Sequence, residues 1–238
     1  MLVYNGAPVS EDLELREGDR VVLIQRGAVP GKEELEHLIV SRHTPGVHQK
    51  VRRATVGIAG LGGLGSAIAI ALARVGVGRL ILADFDVVEP SNLNRQQYFI
   101  DQLGLPKSEA LAASLKRINP YVQLQPHSVR LEPGNIPEIY GESQVMVEAF
   151  DRADQKAMLM ETWAASFPDR PIVMASGLAG HGPSASLGVK RLGAGIYVIG
   201  DLESAAQPGR GLMAPRVGVA AHMQANCVLR LLLGEEGG

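Results

Sequence analysis

A glycine-rich turn between a strand pattern and a helix pattern constrains the fold of this chain most. Gly60, Gly62 and Gly65 form the motif G-x-G-x-x-G directly after the apolar run 55–59 and directly before a helical stretch over 64–75. A tight turn and a close backbone approach to phosphate both exclude a Cβ, and the following helix offers free N–H groups. The motif therefore predicts the first strand-turn-helix unit of a nucleotide-binding fold.

Strand and helix patterns alternate from about residue 51 to the end of the chain. Further strands are predicted over 79–83, 121–125, 144–149, 171–175 and 196–199, and helices over 106–118, 152–166 and 216–233. Such alternation produces βαβ units, so we predict an α/β, Rossmann-like, mostly parallel sheet with helices on both faces. In sheets of this kind, ligands bind beyond the carboxyl ends of the strands.

The first fifty residues have a different texture. A turn at residues 17–19 leads into a short strand pattern over 21–24, and 32–40 has the apolar spacing of a helix. We therefore expect an N-terminal appendage over 1–50 and a nucleotide-binding domain over 51–238.

The composition excludes several classes of protein. Lys plus Arg number 23 and Asp plus Glu 25, which argues against a nucleic-acid-coating protein or a polybasic membrane-surface binder. No apolar run approaches the roughly 20 residues of a membrane span, and the N-terminus lacks a signal-peptide pattern, so we expect a cytoplasmic protein without membrane contact. The single cysteine excludes a disulfide framework and a cysteine-rich zinc site.

Two acidic residues follow the second predicted strand of the domain. Asp84 lies 24 residues after Gly60, near the spacing of an acid that accepts hydrogen bonds from ribose hydroxyls, and Asp86 follows it. Either carboxylate could instead cap the turn. These features alone leave NAD, FAD, S-adenosylmethionine and ATP open.

Two cations soon after the ribose acid favour a triphosphate. Arg95 and Lys107 would neutralise the pyrophosphate that departs when a carboxylate attacks the α-phosphate, and Asn92 and Gln96 would add polar contacts. Asp151, at the end of a later strand, could hold Mg²⁺ on the phosphates. The alternatives are a solvated surface for the two cations and a helix N-cap for Asp151.

Four sequence blocks together resemble the ThiF/MoeB/HesA family, the prokaryotic relatives of ubiquitin-activating enzymes. The blocks are GLGGLGS at 60–66, LADFDVVEPSNLNRQ at 82–96, GLPKSEA at 104–110 and EAFDR at 148–152. The resemblance runs from about residue 50 to the C-terminus. It is strongest to the shorter ThiF proteins, with RHTPG at 42–46 and GLMAPR at 211–216 as further signatures.

The resemblance implies a homodimeric adenylyltransferase that uses ATP and Mg²⁺. It would adenylate the C-terminal glycine of a ThiS-like β-grasp sulfur carrier ending in Gly-Gly, in thiamine thiazole biosynthesis. A sulfur donor protein would be a further partner. The implied ATP contacts are Gly60, Gly62, Gly63, Gly65, Asp84, Asp86, Ser91, Asn92, Arg95, Gln96, Lys107 and Asp151. Arg95, Lys107 and Asp151 would be catalytic, Asp151 on the magnesium side, and Arg42 is the candidate for an arginine that reaches the nucleotide of the partner subunit.

The chain departs from many family members in its cysteines. It has no Cys-x-x-Cys pair, so we expect no zinc. Its only cysteine, Cys227, lies in the apolar C-terminal helix pattern and is interpreted as a buried, inert thiol. Sulfur would then arrive by direct attack of an external donor on the acyl-adenylate.

Two segments suggest further hypotheses. Residues 5–9 and 15–24 resemble the latter half of a ThiS-like chain without its Gly-Gly end, with an unrelated β-hairpin as the alternative. The glycine-rich segment 185–211 is poorly patterned, and we expect it to include a loop that crosses over the carrier tail.

Other functions remain open on the sequence. Within the family, the acceptor could be a molybdopterin carrier or a modified tRNA base. Outside it, the glycine motif also suits an NAD(P)-dependent oxidoreductase or a non-catalytic nucleotide-binding scaffold.

Overall fold

The computed structural model describes residues 1–237, apart from the side chains of residues 32 and 33, and its strands form two sheets. The small sheet contains β1 (Leu2–Tyr4), β2 (Ala7–Val9) and β3 (Val21–Leu23). The large sheet contains β4 (Thr55–Ala59), β5 (Arg79–Ala83), β6 (Gln123–His127), β7 (Val145–Glu148), β8 (Ile172–Ala175), β9 (Gly188–Gly193) and β10 (Ile196–Gly200). The strand orders are β2-β1-β3, all antiparallel, and β6-β5-β4-β7-β8-β10-β9, antiparallel only between β9 and β10.

The helices connect and cover these strands. They are α1 (Lys32–Ile39), α2 (Val47–Val51), α3 (Gly63–Val75), α4 (Lys107–Ile118), α5 (Ile136–Tyr140), α6 (Ala153–Ser166) and α7 (Ala214–Leu233). Among residues 1–237, no helix combines the length and apolarity needed to cross a membrane.

Two apolar cores, one on each face, hold the large sheet between helices. Val56 and Ile58 of β4 point into the core formed with α3, α4 and α7. Ala59 and Met146 point into the core formed with α5 and α6, where Trp163 is fully buried. Because both faces are covered, the central parallel strands β4, β5, β7 and β8 are continuous apolar runs, and the sequence pattern therefore predicted them. The predicted Rossmann-like α/β fold is confirmed.

The strand order reverses direction beside β4. The chain passes from β4 to β5 and β6 on one side, and then crosses to β7 on the other side. The connections after β4 and β7 therefore leave on opposite faces and open a crevice at their carboxyl ends. This is the place where a ligand of such a sheet binds.

The edge strands are where the sequence interpretation was incomplete. The strand predicted over 196–199 is present as β10, but β9, in the poorly patterned segment 185–211, was not predicted, and the two strands form a hairpin. β9 is largely exposed and carries Lys190 and Arg191, so it has no apolar pattern. The strand predicted over 121–125 is also displaced, because β6 is an edge strand and tolerates Pro126.

We predict that Gly65→Ala disrupts the junction of β4 and α3. A Cβ at Gly65 would lie 1.9 Å from the carbonyl oxygen of Gly60, so strand and helix would have to separate. Urea denaturation should show a loss of at least about 2 kcal/mol in the free energy of unfolding.

The matched control is Gly218→Ala, on α7, where an added Cβ meets no atom within 4 Å. It should stabilise the protein by about 0.5–1 kcal/mol, because alanine has the higher helix propensity. Equal effects of the two substitutions would contradict the steric explanation.

Candidate functional site

A cavity of about 610 Å³ opens at the carboxyl ends of the central parallel strands. It lies beside the reversal of strand order between β4 and β7, and its far wall is formed by the loops after β8 and β10. The predicted site residues that line it are Gly60, Gly62, Gly63, Asp84, Asp86, Arg95, Gln96, Lys107 and Asp151. The fold therefore brings together residues that are up to 91 positions apart in the chain, from Gly60 to Asp151.

The glycine turn presents backbone donors to this cavity. Gly60 has φ +84°, and a Cβ there would lie 2.8 Å from the carbonyl oxygen of Ala149. Gly62 is the N-cap of α3, and no side chain caps this helix. Within residues 1–237, the N–H groups of Gly62 and Gly63 have no hydrogen-bond acceptor. Free N–H groups at the positive end of a helix dipole make an anion-binding site.

Asp84 ties the end of β5 to the glycine turn. One carboxylate oxygen accepts a hydrogen bond from the N–H of Leu61 at 2.7 Å, and the other accepts one from the N–H of Asp86 at 2.9 Å. Burial raises the pKa of Asp84, and these two hydrogen bonds oppose the rise. The carboxylate is therefore held in one orientation at the cavity wall.

Two cations line the same cavity. Arg95 follows a short 3₁₀ turn, and its guanidinium donates to the carbonyl of Ser91 at 3.2 Å and to Oδ1 of Asn94 at 2.9 Å. Lys107 begins α4, and its side chain is only 7% exposed. Its Nζ lies 2.9 Å from Oδ2 of Asp86, whose side chain is about half exposed. Both positive groups are thus positioned before any ligand arrives.

Four of the predicted site residues do not line the cavity. Asn92 is buried, and its Oδ1 accepts from the N–H of Glu89 at 3.0 Å, so its side chain stabilises the turn that carries Arg95. Ser91 contributes its backbone carbonyl to Arg95. Gly65 packs against the backbone of Gly60, and Arg42 is exposed in the segment after α1. The direct contacts of these residues with ATP stay predictions.

Asp151 lies in the loop after β7 and faces the cavity. The alternative role as a helix N-cap does not fit, because α6 begins at Ala153, with Arg152 at the N-cap position and no capping side chain. The carboxylate of Asp151 is therefore available to a ligand of the cavity.

A buried ion pair behind the cavity was missed from the sequence. Glu148, at the end of β7, is fully buried, and its two carboxylate oxygens accept from Nζ of Lys156 at 2.8 and 3.0 Å. The same ammonium donates to the carbonyl of Ala175, at the end of β8, at 3.0 Å. Burial raises the pKa of Glu148, and Lys156 opposes that rise. This pair fixes the ends of two strands where the cavity wall begins.

A second ion pair, also missed, holds the two outer loops. Arg216, buried in the first turn of α7, lies 2.7 Å from Oδ2 of Asp201 and donates to the carbonyls of Gly182 and Pro183 at 3.0 Å each. Burial alone would raise the pKa of Asp201. Hydrogen bonds from Ser204 and two backbone N–H groups, with the charge of Arg216, lower it overall. The loops after β8 and β10 are therefore fastened to each other and to α7.

Cys227 does not line this cavity, and the described residues hold no cluster of metal-binding side chains. Among residues 1–237, no group of three or more His, Cys, Asp or Glu side chains is arranged to hold a metal ion. Cys227 is buried in α7, as predicted, and burial raises the pKa of its thiol to about 12.

Comparison with known families agrees with this architecture. The ThiF family model matches residues 36–238, and a model described as ThiS-like ubiquitin matches residues 1–27. Because the first match spans most of the chain, this chain belongs to the ThiF family. The resemblance inferred from the sequence blocks is confirmed, and the ThiS-like match covers the N-terminal segment for which such a likeness was predicted.

Curated relatives match about half of this chain. The SAMP-activating enzyme E1 of Haloferax volcanii is 37% identical over 124 residues, which cover 52% of this chain and 46% of the relative. The adenylyltransferase and sulfurtransferase MOCS3 of Xenopus laevis is 35% identical over 134 residues, 56% of this chain and 29% of the relative. This chain thus spans less than half the length of these relatives.

Solved structures show the same fold at low sequence identity. The E. coli tRNA N6-threonylcarbamoyladenosine dehydratase TcdA in complex with AMP has a TM-score of 0.77 and 21% identity, covering 87% of this chain and 98% of that chain. E. coli MccB with ATP has a TM-score of 0.60 and 21% identity, covering 78% of this chain and 57% of that chain. Both similarities show a shared fold.

We predict that Lys156→Met destabilises the protein strongly. The substitution leaves the carboxylate of Glu148 buried without a countercharge, which costs about 3–5 kcal/mol in similar buried pairs. Urea denaturation at neutral pH measures the loss, and the double variant Glu148→Gln, Lys156→Met should recover most of it. Arg152→Met is the control, since the Arg152–Asp154 pair is 67% and 58% exposed and should contribute at most about 1 kcal/mol. A loss for Lys156→Met as small as that control would contradict the prediction.

We predict that protonation of Asp201 lowers the free energy of unfolding at acid pH. Its pKa is lower in the folded protein than the usual 3.8, so below about pH 4 the unfolded chain binds this proton more readily. The stabilisation is therefore present above that pH and is lost as the pH falls. Asp201→Asn should flatten the decrease in unfolding free energy between about pH 5 and about pH 3, measured by urea denaturation. Asp12→Asn, at an exposed N-terminal position, should keep the wild-type slope.

Proposed function

We propose that this protein binds ATP in the cavity and adenylates the C-terminal glycine carboxylate of a small β-grasp carrier protein. One observation carries the proposal. A helix N-terminus with free backbone donors, two preset cations and a free carboxylate all face one cavity. The glycine turn and a ribose acid such as Asp84 also suit a dinucleotide cofactor, whereas Arg95 and Lys107 supply positive charge that suits a triphosphate.

In this proposal, groups that are already fixed by the fold would bind the nucleotide. The N–H groups of Gly62 and Gly63 would bind phosphate oxygens. Asp84 would accept from the ribose hydroxyls, since each of its oxygens has lone-pair capacity beyond the bond it already accepts. Arg95 and Lys107 would then lie along the β- and γ-phosphates.

Mg²⁺ fits this arrangement because Asp151 offers a hard oxygen ligand that faces the cavity and has no helix-capping role. When bound, the ion would neutralise phosphate charge. Asp151 would hold it from the protein side, with phosphate oxygens and water as the other ligands.

The proposed reaction needs no nucleophile from the protein. A carboxylate oxygen of the carrier attacks the α-phosphorus, and the bond from that phosphorus to the bridging oxygen of pyrophosphate breaks. The products are an acyl-adenylate and pyrophosphate. The chain contributes orientation and positive charge opposite the leaving group, which are the large terms in phosphoryl-group chemistry of this kind. Cys227 is buried, which supports direct attack of an external sulfur donor on the acyl-adenylate.

The part of the cavity lined by the loops after β8 and β10 suits the narrow C-terminal tail of a carrier protein. Its walls carry mostly small side chains from the end of β8 and from the loops after β8 and β10, namely Ala175, Ser176, Gly177, Ala179, Ser204, Ala205 and Ala206. Such walls leave room for an extended glycine segment and no anchor for a bulky one. The names of the relatives, which include activating enzymes for protein modifiers, support a protein acceptor. Within that class we propose a ThiS-like carrier of thiamine thiazole synthesis and a homodimer in which Arg42 reaches the partner subunit.

The second candidate function is adenylation of a carboxylate on a modified tRNA base. It is favoured by the similarity to TcdA, a tRNA-modifying enzyme, which covers 98% of that chain. The net charge of -2 argues against it, because binding to a nucleic-acid backbone favours a basic surface.

We predict carrier-dependent exchange of pyrophosphate into ATP that requires Arg95. Loss of one preset charged donor facing the leaving group should lower the exchange rate by about 10²–10³-fold in Arg95→Ala. The measurement is ATP–pyrophosphate exchange with Mg²⁺ and a ThiS-like carrier that ends in Gly-Gly, beside the same carrier without its last glycine. Arg117→Ala, on the exposed face of α4, is the matched control and should retain the wild-type rate.

Each result distinguishes the candidates. Exchange with the intact carrier alone, lost in Arg95→Ala, supports the proposal. Exchange that responds to tRNA bearing a free carboxylate and not to the carrier supports the second candidate. ATP binding without exchange under any of these conditions contradicts both.

A further inference from the structure

The two sheets have four outer edges, and three of these are protected. Free N–H and C=O groups along a sheet edge pair readily with another strand, and proline or charged residues at an edge prevent this. β6 carries Pro126, and β9 carries Lys190 and Arg191. The third protected edge is β2, which has Pro8 at its centre.

The hydrogen bonds of the small sheet show which groups face outward. The N–H of Asn5 donates to the carbonyl of Arg20 at 2.9 Å, and the N–H of Ile24 donates to that of Met1 at 2.8 Å. Residues alternate along an antiparallel strand, so Met1, Val3 and Asn5 bond to β3, while Leu2 and Tyr4 bond to β2. Pro8, which lies opposite Val3, therefore faces the outer side of β2, where its missing N–H leaves no donor.

The same alternation leaves β3 with an open edge. Arg20, Val22 and Ile24 face β1, so the N–H and C=O groups of Val21 and Leu23 face outward. Within residues 1–237, these groups have no hydrogen-bond partner. The strand holds no proline and no charge, and the side chains of Val21 and Leu23 are 44% and 74% exposed. This edge has none of the protection of the other three.

We propose that β3 pairs antiparallel with β3 of a second copy of this chain, with a two-fold axis at Val22. In that register Val21 lies opposite Leu23 of the other copy, and both residues carry outward backbone groups. Two such pairs form, each with two N–H···O=C bonds, and Val22 faces its counterpart at a position without hydrogen bonds. The two small sheets would become one continuous six-stranded sheet.

A second copy fits this edge because the strand is complementary to itself. A two-fold axis requires the same patch to match on both sides. The sequence Val-Val-Leu places an apolar side chain at every position of the proposed pairing, so no charge meets a like charge within the strand. Leu2 lies beside Leu23 on the exposed face of the sheet and is 39% exposed. The pairing would join the two apolar faces across the axis.

The test compares single cysteines at Val22 and Leu23. Opposed residues at a position without hydrogen bonds have Cα atoms about 4.5 Å apart, within the range for a disulfide. The two copies of residue 23 would be offset from each other along the strands. Cys227 is buried, so the introduced thiol is the reactive one. Under mild oxidation, non-reducing electrophoresis should show covalent dimers of Val22→Cys at least 10-fold faster than of Leu23→Cys.

This comparison is informative because side-chain exposure alone would give the opposite order of cross-linking rates. Leu23 is 74% exposed, whereas Val22 is partly buried, so random collisions would favour the cysteine at position 23. Equal or faster cross-linking of Leu23→Cys would overturn the proposal, as would the absence of Val22→Cys dimers.

A second measurement does not depend on cysteine. Leu23→Lys changes an exposed side chain and should halve the mass of the assembly in sedimentation at high protein concentration. Val29→Lys, at a residue that is 95% exposed and outside β3, is the control and should leave the mass unchanged. Circular dichroism checks that both variants are folded. A folded Leu23→Lys variant with the wild-type mass would overturn the proposal, whether or not ATP–pyrophosphate exchange is observed.

Discussion

The close contact between the glycine turn and the start of α3 is the constraint on which the rest of the site depends. Gly60 turns the chain with a positive φ, and Gly65 lies against its carbonyl with no room for a Cβ. This contact directs the N-terminus of α3 into the crevice between β4 and β7. Asp84 then binds the same turn through Leu61, and Arg95 packs beside Gly63, so the anion-binding donors, the acid and one cation share a single rigid support.

Among residues 1–237, three ion pairs with a buried partner lie next to the cavity, and each one positions a different part of its wall. Lys107 is paired with Asp86, Lys156 with Glu148, and Arg216 with Asp201. Buried charges are costly unless they are paired and hydrogen-bonded, so such pairs are weak contributors to net stability. Their value in this protein is geometric. They fix strand ends and loops around the cavity before ligands bind, which is what electrostatic catalysis by preset charges requires.

The sequence allowed the central fold and the nearest site residues to be predicted for physical reasons. Parallel strands buried on both faces appear as apolar runs, and the glycine motif, Asp84 and Arg95 lie within one segment of 36 residues. Lys156 and Arg216 could not be assigned in this way. Their partners lie 8 and 15 residues away, and nothing in the local pattern says that the side chains meet. Asn92 is the opposite case. It lies in a block that carries the family resemblance and was predicted to contact ATP, yet its side chain accepts a hydrogen bond within its own turn.

The sequence by itself determined the class of fold, the position of the anion-binding turn and the membership in the family. These depend on local features, namely apolar periodicity and glycines that a turn requires. Only the tertiary structure decided which polar groups face the cavity and which serve as supports, because that depends on where strands separated by many residues end. It also decided that β2, β6 and β9 are protected edges and that β3 is open. Edge status is a property of strand order and hydrogen-bond alternation, which a strand's own residues do not specify.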